Sequence, residues 1–295
     1  MIESFLTVGR QIITLYLLMA VGYVLGKLKL IDDHGAASMS TLVMYIVSPC
    51  MLLVAFQRPI EQDTLHNFYV VVAVSLLLHA AFIVLSRLMI HDTDRHRRNL
   101  LLFAAVFSNC GFMGYPIILA INPDWMIYAV AYNVAYLLVS WTVGVSLFQG
   151  RQNVSLKRVL LNPNVIAAFL GFAVFCLNIT LPDILSQTMS LIGGLTTPLS
   201  MLLIGTRISG IRLSELRDKD YHITAALRLI YVLLLPLHLD PAVWSTLYLL
   251  TAMPCGTLSA MQAELYGGDA RFAARAIAYS TLLSLVTVPI VSMLL

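Results

Sequence analysis

The chain has 295 residues, of which 59% are hydrophobic and only 11% charged, with a net charge of +3. A soluble domain carries roughly 25% charged residues, so apolar composition spread over this whole length excludes a soluble globular protein and points to a polytopic membrane protein. Four cysteines, Cys50, Cys110, Cys176 and Cys255, all fall in apolar segments without CxxC or Cys/His metal spacing, and are read as reduced structural thiols.

A spanning helix needs about 20 mostly apolar residues. Ten such segments follow in order: 7–26, 36–57, 65–88, 99–122, 125–148, 160–178, 184–206, 221–239, 242–264 and 272–294. The first is no cleavable signal, because Glu3 and Arg10 make a poor basic leader and no small-residue cleavage site follows. Helix 2 carries Ser48-Pro49 and helix 7 carries Thr197-Pro198, and both pairs read as kinks or hinges. His79 on helix 3 is read as a packed histidine, and Arg228 on helix 8 either snorkels to the cytoplasmic face, the favoured reading, or faces an anion pathway.

Helices 4 and 9 are interrupted where they should run unbroken. Helix 4 reads Phe107-Ser108-Asn109-Cys110-Gly111-Phe112-Met113-Gly114-Tyr115-Pro116, and helix 9 reads Ala252-Met253-Pro254-Cys255-Gly256-Thr257-Leu258-Ser259. Open backbone at membrane depth is tolerated only where protein or a wet cavity satisfies it. Each half-helix that starts after a break presents about half a positive charge and freed amides, which suits an anion. Ser108, Asn109, Cys110, Gly111 and Tyr115 at the first break, and Pro254, Cys255, Gly256, Thr257 and Ser259 at the second, are the candidate substrate contacts. Asn133 on helix 5 either touches substrate or bonds a neighbouring helix. Pro116, Pro254, Pro49 and Pro198 are the candidate hinge positions. Helices 2, 4, 5, 6 and 7 carry no charged residue over these spans, so Gln262 and Glu264 after the second break are the candidates for ion coupling.

Two patterns organise the ten helices. All basic residues except Arg10 and Arg58 lie in or beside the loops 1–2, 3–4, 5–6, 7–8 and 9–10. The positive-inside rule puts those loops in the cytoplasm of a cell membrane and both termini outside. Matching residues also recur at near-constant offset: Gly22 with Gly171, Ser48-Pro49 with Thr197-Pro198, Asn109-Cys110-Gly111 with Pro254-Cys255-Gly256, and Tyr132-Asn133 with Tyr279-Ser280. The halves are residues 1–148 and 158–295, joined by a short cytoplasmic connector at 149–157. Five helices per half makes the second enter the membrane upside down, an inverted repeat with crossover helices 4 and 9. No HExxH, GxSxG or Walker loop occurs, so no enzyme is expected and no cofactor. Arg95-His96-Arg97-Arg98 reads as a topology signal, with no nucleic-acid partner.

Several strings resemble the auxin efflux carrier family, within the larger group that includes bile-acid sodium symporters. They are Val21-Gly22-Tyr23-Val24-Leu25-Gly26, the helix-4 string Ser108 to Pro116, Leu161-Asn162-Pro163-Asn164, Tyr266-Gly267-Gly268-Asp269 and Ser280-Thr281-Leu282-Leu283-Ser284-Leu285. The resemblance implies ten helices with external termini and a moving crossover domain on helices 3–5 and 8–10. It implies export or exchange of organic anions: auxin in plants, small carboxylates such as malate or malonate in bacteria. Asn109 matches the family's crossover asparagine that contacts the substrate carboxylate, and Pro116 and Pro254 match prolines near the crossovers. The resemblance also implies a homodimer through the less mobile helices. The long cytoplasmic loop of plant members is absent here. Sodium coupling, proton coupling and uniport all stay open, as does the individual substrate. A channel or receptor is the competing reading, and would call for a continuous polar stripe rather than these local polar clusters.

Overall fold

A computed structural model describes residues 2–57, 62–91, 94–149, 157, 160–212, 219–235, 238–266 and 268–294. Twelve helical elements carry the fold: α1 (Ile2–Lys27), α2 (Asp33–Ala55), α3 (Gln62–Met89), α4 (Arg95–Val106), α5 (Cys110–Ile121), α6 (Pro123–Phe148), α7 (Pro163–Cys176), α8 (Asp183–Ser209), α9 (Lys219–Val232), α10 (Pro241–Ala252), α11 (Leu258–Tyr266) and α12 (Ala270–Ser292). Among the described residues the one β-type pairing is an isolated antiparallel bridge between Ser108 and Cys255.

Local chemistry sets the boundaries. Asn162 and Asp240 each accept bonds from the next two free amides, and each is followed by a proline in the first helical turn. Asp94 accepts from the His96 amide and starts α4 at Arg95, four residues before the apolar run. Prolines explain the interruptions. A proline has no N–H, and its ring displaces the carbonyl four residues back. Pro49 and Pro116 therefore sit just after π-helical turns, Val43–Val47 and Cys110–Gly114, that contain those displaced positions, Tyr45 and Phe112. Pro198 follows a turn at Leu195, with the preceding helical stretch ending at Gly194. The same effect corrects helix 8, expected to reach 239. It ends at Val232, four residues before the proline that the sequence carries at position 236.

Among the described residues six elements are long and apolar enough to cross a membrane: stretches of α1, α2, α3, α6, α8 and α12. Helices α5 and α7 are shorter apolar helices. The bundle has an inside and an outside. Some 72% of the most apolar stretch of α6 is buried, against 22% for α1 and 17% for α2. Every residue from Leu100 to Cys110 is buried. Large apolar side chains stand exposed on α1 (Ile13, Leu17, Val24), α3 (Leu77, Val84, Leu88) and α8 (Leu191). Exposed apolar surface on this scale is a surface for lipid.

Glycines seat the outer helices. A Cβ on Gly22 of α1 would run into the Leu202 backbone of α8, and one on Gly205 of α8 into the Met19 backbone of α1. Gly171 of α7 similarly makes room for the Phe56 ring at the end of α2.

Candidate crossover site

The two interrupted helices meet at their interruptions. Helix α4 ends at Val106, and the chain turns extended at Phe107 (φ −96°, ψ 112°). Helix α10 ends at Ala252, and Met253 is extended too (φ −60°, ψ 149°). Two backbone bonds tie the extended pieces together. The Asn109 amide donates to the Pro254 carbonyl at 2.8 Å, and the Gly256 amide donates to the Phe107 carbonyl at 2.9 Å. The approach requires a glycine, since a Cβ at 256 would lie 2.7 Å from the Ser108 carbonyl oxygen.

This arrangement corrects one expectation. The amides of Asn109, Cys255 and Gly256 are not free for a ligand. The first and third close the bridge, and the Cys255 amide donates to Ser280 Oγ at 3.0 Å. Burying an unpaired amide costs about 1–3 kcal/mol, so the two breaks satisfy each other. The amides that face a cavity are those of the first turn of α5. The first amides of a helix have no partner within it, and Cys110, Gly111 and Phe112 all line that cavity. A Cβ on Gly111 would meet nothing within 4 Å.

That cavity, of about 130 Å³, is walled by α2, α5, α6 and α8, by the starts of α7 and α11, and by Ala274 and Ile277 of α12. Ser108, Asn109, Cys110, Gly111, Tyr115, Asn133 and Thr257 line it; Pro254, Cys255, Gly256 and Ser259 do not. Four buried polar atoms on its lining residues have no partner among the described residues: Asn109 Nδ2, Tyr115 Oη, Asn164 Oδ1 and Ser200 Oγ. Cys110 Sγ sits 3.7 Å from Asn133 Oδ1. Among the described residues Arg207 is the charged one of the lining, 3.5 Å from Ser40 Oγ, and none of the lining residues is acidic. Arg207 and Ala274 also line a second, larger cavity, with Lys29, Asp32, Asp33, Arg271 and Arg275 around it.

Other sequence candidates lie away from this cavity. Pro49 and Pro116 sit in the first turns after their π segments. Pro198 opens the second stretch of α8. Gln262 is fully buried, its Nε2 donating to the Ser140 carbonyl at 3.3 Å and its Oε1 without a partner among the described residues. The Glu264 side chain lies outside the described residues.

Arg228 overturns its sequence reading. It does not snorkel. It is 3% exposed and reaches the crossing itself. Its Nε donates to the Met253 carbonyl at 2.9 Å, Nη1 to Ala105 and Val106 at 3.0 and 3.1 Å, and Nη2 to Thr251 at 2.6 Å. These carbonyls belong to the C-terminal ends of α4 and α10, where helices leave acceptors unpaired. Asn164, Ser200 and Arg207 were also missed. Their signals were present but weak: Asn164 stands in Asn162-Pro163-Asn164, Ser200 two residues after Pro198, and Arg207 in a basic flank.

Comparison with known proteins agrees with these features. A family model described as membrane transport protein matches the chain twice, over residues 7–157 and 151–292. The chain belongs to that family. The resemblance to auxin efflux carriers is thereby upheld, and the protein is a multi-pass membrane protein of a transporter family. An uncharacterised transporter of Methanothermobacter thermautotrophicus is 22% identical to it, over 97% of this chain and 98% of that protein.

Proposed function

We propose that this membrane transport protein is a secondary carrier of small organic anions such as malate or malonate, working by alternating access. One observation carries the reading. Among the described residues, the cavity at the crossing combines polar atoms without partners, the first turn of α5 and one arginine, with no acidic residue in its lining. A helix N-terminus and an asparagine amide bind a carboxylate without a buried lysine. Asn109 Nδ2 supplies the donor, and Tyr115, Asn164 and Ser200 serve the remaining polar groups of the substrate.

The reading includes two inverted five-helix repeats crossing the membrane ten times, with α4/α5 and α10/α11 as the broken fourth and ninth helices. Internal matches support it. Gly22 of α1 packs on α8, and its mate Gly171 of α7 packs on α2. Cys110 contacts Asn133, and its mate Cys255 contacts Ser280, the mate of Asn133. Ser108 pairs with Cys255 where the repeats cross. The cavity adjoins the basic second cavity, which by the positive-inside rule faces the cytoplasm of a cell membrane, with both termini outside. No catalysed reaction is part of this reading.

Uptake of labelled malonate and malate into proteoliposomes tests it. Saturable uptake is expected, lost in Asn109→Ala. Undiminished uptake by that variant would remove Asn109 from the site, and single-channel conductance in bilayers would replace the carrier with a channel. Uptake under imposed sodium or proton gradients separates sodium-coupled, proton-coupled and uncoupled transport.

A further inference from the structure

Helices α4 and α10 both end at the crossing. Each contributes about half a negative charge at its C-terminus. The carbonyls of Ala105, Val106, Thr251 and Met253 converge there from segments more than 140 residues apart in sequence. Convergent carbonyls at half-helix C-termini are the chemistry that holds a cation in broken-helix carriers. Here the centre of the cage is filled by part of the chain. The Arg228 guanidinium lies 2.6–3.1 Å from all four oxygens. Among the described residues its hydrogen-bond partners are all carbonyls, and no carboxylate is among them.

Burying an unpaired arginine is costly. So is leaving four carbonyls without donors at the end of two helices. The two costs cancel only when the cation sits at this point. The guanidinium suits the task because its five N–H groups fan out in one plane. Removing it would leave a ring of oxygens with a net negative potential, within a few residues of Asn109, where an anion is to bind.

We propose that Arg228 is the built-in cation of the crossover. Its guanidinium takes the place of a free cation at the C-terminal ends of α4 and α10, and so positions the opposite, N-terminal side of the crossing for an anion. The two sides of one crossing then differ in kind: a permanent tethered charge on one and an exchangeable ligand on the other. Arg228 is a positioning residue and does not touch the substrate. This inference borrows from the carrier reading only its binding arm.

The test uses purified full-length protein and its unfolding temperature. For the wild type, sodium, potassium and choline chlorides at equal ionic strength are expected to give the same value, because the cage is already filled. Arg228→Ala is expected to unfold at lower temperature and to regain stability with guanidinium ion at sub-denaturing concentration, since a ligand that binds the native state raises its apparent stability. The same variant is expected to become sensitive to sodium over potassium, which a purely steric packing role would not produce. Specific stabilisation of the wild type by sodium would overturn the proposal, as would an Arg228→Ala protein that folds and responds to neither guanidinium nor sodium. Should Arg228→Ala not fold, the wild-type arm and Arg228→Lys decide. The lysine ammonium is expected to restore folding, and a lysine variant no better than alanine counts against a charge role. The binding arm measures malonate affinity of the wild type in sodium and in potassium, expected to agree within about twofold. Malonate that binds in neither salt defeats the carboxylate reading and leaves the stability arm to decide on Arg228.

Discussion

At the first break, Gly111 opens onto a cavity and the Asn109 side-chain Nδ2 has no partner among the described residues. At the second, Gly256 is pressed against the Ser108 carbonyl, and Pro254, Cys255 and Gly256 stay out of the cavity. The two breaks derive from matching sequence, Asn109-Cys110-Gly111 and Pro254-Cys255-Gly256, yet they do different jobs. The difference starts with one residue. A proline at 254 has no amide to give, so it can only accept. It receives the bond from Asn109, and the asparagine side chain is left for other use. The second break is a brace and the first faces the cavity, where we propose the anion binds. Sequence symmetry therefore identifies equivalent positions without identifying equivalent roles.

Substitutions can break or sharpen this contrast. Gly256→Val has the largest expected effect. It drives a branched side chain into backbone and should destabilise the protein by about 3 kcal/mol or more, seen as loss of monodisperse protein or a strongly lowered unfolding temperature. Asn109→Ala should leave stability nearly unchanged. It should weaken carboxylate binding by about tenfold to a hundredfold, the range for a hydrogen bond to a charged group, read as the anion-induced rise in unfolding temperature. Ser280→Ala orphans the buried Cys255 amide and is expected to cost about 1–2 kcal/mol, visible as a lower unfolding temperature with carboxylate affinity retained. Gly111→Ala should fold as well as the wild type, because its new methyl meets open space, while lowering carboxylate affinity a few-fold. A stability loss at 111 equal to that at 256 would erase the distinction between the breaks. Smallest is Asp220→Asn, which removes the Arg97–Asp220 pair at 2.7 Å between α4 and α9. A partly exposed pair of this kind contributes under about 1 kcal/mol, so the unfolding temperature should move by a degree or two.

The breaks were legible because their signals are local. Glycine, proline and polar residues inside an apolar run mark open backbone without reference to any other part of the chain. The early end of α9 was legible in principle too, since Pro236 excludes a helical carbonyl at 232. Arg228 was not. An arginine flanked by Leu227 and Leu229 reads the same whether it reaches for water or for carbonyls. The cage that decides the matter is built from Ala105, Val106, Thr251 and Met253, which only the fold brings together. Asn164 and Ser200 were hidden for the same reason. Each sits on a helix with ordinary hydropathy, and only the packing of α7 and α8 around the crossing turns them toward one cavity.

The paired glycines of α1 and α8 have a mechanical consequence. Each glycine receives the other helix's backbone, Gly22 against Leu202 and Gly205 against Met19. Such a joint has two keyed points in register. A sliding step of one residue would bring a side chain onto a backbone at both points at once. These helices are therefore a single beam, and the alternating access proposed above would need its sliding elsewhere. At the cavity, by contrast, α2 and α8 meet the breaks through side chains such as Ser48, Ser200 and Arg207.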